Sequence, residues 1–141
     1  MTTYLFNTNI VLCALILGGM VFYVTFMAPL IFIKLPAPTA GEFIREVFPW
    51  YFLVFAVLTL LSAILLFIGA FQWQSAVMLI CAVFFIFSRQ WLMPKINDYR
   101  IAIQDGESDA KIKFKNFHRL SVAINYIQLI AIFIIFIAII N

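Results

Sequence analysis

The sequence predicts an all-α integral membrane protein, a four-helix up-down bundle with a short interfacial helix in its first loop. Three observations predict it. Hydrophobic residues make up 66% of the chain and charged residues 11%, whereas soluble domains carry about a quarter charged residues. Apolar runs stand at Asn9–Ile33, Phe48–Phe71, Ser75–Trp91 and Ser121–Ile140, each near or above the ~20 residues that cross a bilayer as a helix. All nine Lys and Arg residues lie in or beside two of the three connecting loops. Four spans, at about residues 9–33, 48–71, 75–93 and 117–140, leave little chain for anything else, so residues 1–141 read as one membrane domain.

The charges also set an orientation. Lys34 and Arg45 belong to the first loop, and Arg89, Lys95, Arg100, Lys111, Lys113, Lys115 and Arg119 to the third. The N-terminus, second loop and C-terminus have none. Basic loops stay on the cytosolic side, so both termini are expected outside a cytoplasmic (inner) membrane, with the charged loops cytosolic. The net charge of +3 could suggest nucleic acid, but its distribution fits membrane topology, so no nucleic-acid partner is expected. The six acids fall in the same loops, which leaves no carboxylate inside a span.

Taken in order, the first run is too long and lacks the basic start of a signal peptide, so it reads as a retained span. Ala14, Gly18 and Gly19 form a small-residue patch that lets a neighbouring helix approach. Pro29 is a kink point. Leu35-Pro36-Ala37-Pro38 is a stiff connector, after which Thr39 and Glu42 have capping-box spacing and open the interfacial helix. Pro49 ends that helix, and Trp50 and Tyr51 mark the interface at the start of the second span. Thr59 and Ser62 are expected to bond backbone carbonyls one turn back. A short uncharged turn, Gly69 to Gln74, leads to the third span, which extends past Pro94 toward Gln104. Asp105-Gly106 is a turn signal, and Ser108 is the expected cap of the helix that enters the fourth span.

His118, Ser121, Asn125 and Gln128 recur at i, i+3, i+7 and i+10, one stripe of a helix that is otherwise aliphatic and aromatic. Polar groups in lipid must find partners inside the protein, so Ser121, Asn125 and Gln128 read as interhelical hydrogen-bonding residues. Arg89, His118 and Arg119 lie near the cytosolic boundary with no acid in the adjoining spans. Two readings fit them: cations that snorkel to headgroups, or a cytosol-facing pocket between the third and fourth spans, with Asn125 at its floor, for an anionic lipid headgroup or small amphipathic acid. Cys13, Met78 and Cys81 have ligands suited to Cu(I) and are equally ordinary core residues. A serine hydrolase is not expected, because no carboxylate is placed to orient His118 for Ser121. One histidine cannot ligate a haem from both sides within a monomer. No cofactor is predicted.

A resemblance joins these pieces. Gly19-Met20-Val21-Phe22-Tyr23-Val24-Thr25-Phe26, Pro29, Phe32, Leu35-Pro36 and Gly41 are followed by Phe48-Pro49-Trp50-Tyr51-Phe52, then Arg89, Trp91, Leu92 and Pro94, then Phe117-His118, Leu120-Ser121 and Asn125. In this order they resemble a small four-span membrane protein family of unknown function that includes human transmembrane protein 205. The resemblance implies a four-helix membrane domain, and the human member's association with platinum-drug resistance points toward soft-metal handling. Arg119 stands where a small residue is expected after the histidine. The architecture is more distantly similar to copper-resistance-D-like membrane proteins and their haem-handling relatives, whose sites use several histidines.

Three functions follow as expectations: a non-catalytic accessory subunit or binding module, a small-ligand or soft-metal handling protein, and a cofactor-dependent membrane enzyme. The missing catalytic set favours the first. Expected partners are the bilayer and its anionic headgroups, and other membrane subunits or further copies of the chain.

Overall fold

The computed structural model describes residues 2–141. Four long helical spans form the expected all-α bundle. The first runs as α1 (Thr2–Phe22), a π turn (Tyr23–Met27) and α2 (Ala28–Lys34). The second is the single helix α3 (Ala37–Ile68). The third is α4 (Gln72–Phe87), a second π turn (Ser88–Leu92) and α5 (Met93–Gln104), and the fourth is α6 (Ala110–Ile140).

The prolines explain where the ladders change. Proline has no N–H to give to the carbonyl four residues back. In the first span the Ala28 N–H reaches five residues back to the Tyr23 carbonyl, and Pro29 is the next residue. In the third the Met93 N–H reaches back to Ser88, and Pro94 is next. Both spans thus meet a proline by widening one turn, not by breaking.

Pro49 is a correction to the sequence reading. It lies inside α3, so the separate interfacial helix is absent and residues 37–48 simply extend the second span. Pro36 occupies the N-cap, with no side-chain cap bond, so Thr39 and Glu42 do not form a capping box. Proline takes the helical donor from the carbonyl four residues back, that of Arg45; the Arg89 Nε donates instead to Pro49's own carbonyl at 3.1 Å, a bond from the third span to the second. Ser108 likewise caps nothing. Asp109 precedes α6 and makes no side-chain cap bond.

Two turns close the bundle. After α3, the Ala70 N–H bonds Phe67 O at 3.1 Å and the Phe71 N–H bonds Leu66 O at 2.9 Å. This is a Schellman ending with Ala70 at φ 66°. After α5, Gly106 takes the same place at φ 92°, as Asp105-Gly106 predicted.

Neighbours around the ring run α1–α3, α3–α4, α4–α6 and α6–α1. The core holds Cys13, Ile16, Met20, Phe52, Phe85, Met78, Ile132 and Ile135. Outward faces carry exposed Leu15, Val57, Val83 and Ile127. Lipid is as apolar as these side chains, so packing and hydrogen bonds decide helix association. Ser62 does not bond its own helix; it donates to Asn9 Oδ1 of α1 at 2.5 Å. Ser75 donates to the Ala63 carbonyl at 2.8 Å. Thr59 bonds back to Phe55 and Ala56, as expected. The small-residue patch is split: a Cβ at Gly19 would lie 2.9 Å from Phe55, whereas Gly18 has open space and Ala14 is exposed.

A bilayer core takes ~20 helical residues. Counted from the turn at Gly69–Phe71, the far boundary falls near Trp50 and Trp91, which are both exposed, as interfacial aromatics are. Tyr51 is buried and serves a different purpose. Beyond that boundary the start of α3, all of α5 and the start of α6 continue as a charged end.

Candidate functional site

The charged end encloses a cavity of about 410 Å³ to which every span contributes. The first span supplies Tyr23, Val24, Ala28 and Phe32, and α3 supplies Ile44, Arg45, Phe48, Tyr51 and Phe52. Met93, Ile96, Asn97 and Arg100 come from α5, and Phe114, His118, Ser121, Val122, Asn125 and Tyr126 from α6. The α6 wall, from Phe114 to Asn125, is about 16 Å long at 1.5 Å per residue.

The floor is an aromatic and amide cluster. Tyr51 and Asn125 meet across the bundle, from α3 to α6, with Asn125 Nδ2 donating to Tyr51 Oη at 3.2 Å and the Tyr51 hydroxyl 3.3 Å from Asn125 Oδ1. Tyr23 packs on Tyr51 with ring centroids 4.9 Å apart, and its own hydroxyl is buried without a partner.

At the mouth, Arg100 donates Nη1 to the Gly41 carbonyl at 2.6 Å. Gly41 suits this approach, since a Cβ there would lie 3.2 Å from that nitrogen and the guanidinium would have to shift by a few tenths of an ångström. The Arg100 guanidinium sits 5.9 Å from the Phe114 ring centroid, a cation–π distance. His118 stacks on the same ring, with centroids 6.1 Å apart and planes 3° from parallel. Arg45 contacts Glu42 at 3.7 Å, and both are exposed. The lining residues include no Asp or Glu, so the cationic mouth has no resident counter-charge in the wall.

The sequence-derived set divides. His118, Ser121 and Asn125 line the cavity. Gln128, one turn beyond Asn125, is buried and donates Nε2 to the Cys81 carbonyl of α4 at 3.0 Å, while its Oε1 has no partner. The stripe is therefore part cavity wall and part helix packing. Arg89 is not in the wall; it is engaged with the Pro49 carbonyl. Arg119 is exposed and also outside the wall. Arg100, Asn97 and Arg45 are the polar wall residues that sequence reasoning missed. Arg100 lies three turns past Arg89 on the same span, on the α5 face that lines the cavity, and its partner Gly41 is far away in sequence. Cys13, Met78 and Cys81 are buried in the core. Among the described residues no three His, Cys, Asp or Glu side chains cluster closely enough to hold a metal.

Fold and cavity together define a multi-pass membrane protein with a partly open cavity at its charged end. The chain belongs to the family defined by a domain of unknown function (DUF4149), which it matches over residues 11–104. That stretch contains the walls given by the first three spans; the α6 wall lies beyond it. No curated protein and no solved structure matches the chain.

Proposed function

We propose that this protein is a non-catalytic binding module of the cytoplasmic membrane that holds a small amphipathic anion in the cavity at its charged end. One observation carries the reading: a cavity shared by all four spans has largely apolar walls, a cationic mouth and no carboxylate in its lining. Pockets of about 300–1,000 Å³ with a few convergent polar groups are the usual form of a small-molecule site. The site keeps His118, Ser121 and Asn125 from the sequence-derived set and takes Arg100 in place of Arg89 and Arg119. His118 and Ser121 stand one turn apart without an acid to orient the imidazole, which favours binding over hydrolysis. The charge distribution supports a cytosolic mouth and extracytoplasmic termini.

Two measurements test this. Native mass spectrometry of the protein released from mild detergent is expected to show a bound small amphiphile, lost in Arg100→Gln. A protein that carries no small molecule, or one retained equally by Arg100→Gln, refutes the site. Single cysteines at Asn7, Gln72 and Asn141, in a Cys13→Ala, Cys81→Ala background, are expected to label from outside intact cells, and one at Ser108 only after permeabilisation. Outside labelling of Ser108 inverts the orientation.

A further inference from the structure

We propose that Asn97, Arg100, His118 and Ser121 form one oxyanion subsite, and that it takes the phosphate of a single-tailed phosphate monoester. The inference rests on the binding-module reading above and names the ligand class of that site. Asn97 and Arg100 are one turn apart on α5, and His118 and Ser121 are one turn apart on α6. The two helices pack together, and all four residues line the same cavity. They therefore make two short polar ladders along one side of it. The Asn97, His118 and Ser121 side chains make no hydrogen bond within the protein among the described residues, and Arg100 spends one N–H on Gly41. The unspent groups are mostly donors: guanidinium N–H groups, an amide NH2, an imidazole N–H and a hydroxyl. That many donors exceeds what the two oxygens of a carboxylate require and suits the three terminal oxygens of a phosphate monoester. Arg is also the side chain that grips phosphate in bidentate fashion.

The rest of the cavity decides what the phosphate is attached to. Val24, Ala28 and Phe32 of the first span and Ile44 and Phe48 of α3 give apolar walls. The volume of about 410 Å³ lies near the low end of ligand sites, which run ~300–1,000 Å³, so one tail is accommodated and two are not. From His118 or Phe114 down to Asn125 is about 10–16 Å. An extended chain advances roughly 1.2 Å per bond, which corresponds to a tail of about ten carbons.

The test uses the whole chain reconstituted in phosphatidylcholine nanodiscs and titrated with decyl phosphate, decanoate, inorganic phosphate and a two-tailed phosphatidic acid. Binding is counted by native mass spectrometry against empty discs. Saturable binding of one decyl phosphate per chain is expected, roughly tenfold or more tighter than the other three probes: decanoate loses a charge-assisted hydrogen bond, inorganic phosphate loses the apolar contacts of the tail, and phosphatidic acid carries a second tail. Ser121→Ala and Asn97→Leu are each expected to weaken decyl phosphate roughly tenfold with an unchanged unfolding midpoint. Ser121→Ala removes a single oxygen and is the variant that keeps the test interpretable if Arg100→Gln misfolds. Decanoate binding as tightly as decyl phosphate overturns the phosphate assignment and leaves the binding-module reading standing. Inorganic phosphate or phosphatidic acid binding as tightly overturns the single-tail assignment. Full retention of binding by Ser121→Ala overturns the subsite. If no probe binds saturably, the binding-module reading falls with it.

Discussion

The Tyr51–Asn125 pair gives the sharpest energetic test of the bundle, because it joins α3 and α6 across the ring and forms the cavity floor. The perturbation is a double-mutant cycle of Tyr51→Phe, Asn125→Leu and the combination. Tyr51 is buried, and Asn125 is the partner its hydroxyl has among the described residues. The contacts, at 3.2 and 3.3 Å, lie at or just past the long edge of N–H···O and O–H···O geometry. Interhelical hydrogen bonds in membrane proteins average about 0.6 kcal/mol and reach about 1.7 kcal/mol. A long bond beside a cavity that admits water belongs in the lower part of that range. The expected coupling is therefore about 0.5–1 kcal/mol, a two- to fivefold change in the unfolding equilibrium, given that 1.4 kcal/mol is tenfold. The three tryptophans give the signal for reversible unfolding in mixed micelles of sodium dodecyl sulfate. A coupling below about 0.3 kcal/mol, the ordinary error of additivity, would mean that the two side chains do not hold each other and that the floor is not closed by this bond.

Two further stability changes follow from the same geometry. Gln128→Leu removes one bond to the Cys81 carbonyl, which keeps its intrahelical donor, and also removes a buried Oε1 that has no partner. An orphaned buried acceptor costs about 1–3 kcal/mol, so the variant is expected to be neutral or stabilised by up to ~2 kcal/mol in the same unfolding assay. A loss above ~0.5 kcal/mol contradicts it. Ala70→Gly relieves a left-handed alanine at φ 66°. That conformation costs about 1–2 kcal/mol, of which the extra freedom of unfolded glycine returns about 0.4–1 kcal/mol. A gain of about 0.5–1 kcal/mol is expected, while Gly69→Ala, whose Cβ would lie 3.2 Å from the Phe71 ring, is expected to destabilise. A lower unfolding midpoint for Ala70→Gly rules out the turn geometry.

Much of the architecture was legible because it rests on length and apolarity, which a bilayer reads directly. Four runs of about 20 apolar residues have few alternatives to four spanning helices. Gly106 was legible for a local reason: a left-handed residue after a helix wants glycine. Pro49 was misread because the rule that proline ends a helix describes helices whose neighbours do not compensate. Here α3 is packed on α1 and α4, which holds it as one helix through the proline. The π turns left no periodic signal. Their one trace is a proline two residues past each, at Pro29 and Pro94. For the site, the stripe on α6 was visible because its members share one helix face. Arg89 was assigned to it because it closes the apolar run of the third span, while the expected continuation toward Gln104 was not searched for site residues. The third span does continue to Gln104, as expected, and Arg100 on that continuation lies level with the mouth. Its partner Gly41 is 59 residues away, a contact that no local pattern announces.

The lengths of the helices explain why site and span separate. The four candidate spans contain 31 to 33 residues, or about 47–50 Å at 1.5 Å per residue. The hydrocarbon core is about 30 Å thick, and the excess lies at the charged end. Within the lipid-spanning part, polar side chains serve helix association: Asn9 with Ser62, Ser75 with Ala63, Gln128 with Cys81. Past the boundary near Trp50 and Trp91, the same bundle meets water, and polar side chains no longer need to be consumed by neighbours. There Asn97, Arg100, His118 and Ser121 retain donors that protein contacts do not use, around a space the four spans already enclose. A charge at that level is also cheaper to keep than one at the bilayer centre, where it costs several kcal/mol. The helices therefore run beyond the membrane far enough to enclose the cavity there, and the proposed single-tailed anion would reach it from the membrane surface.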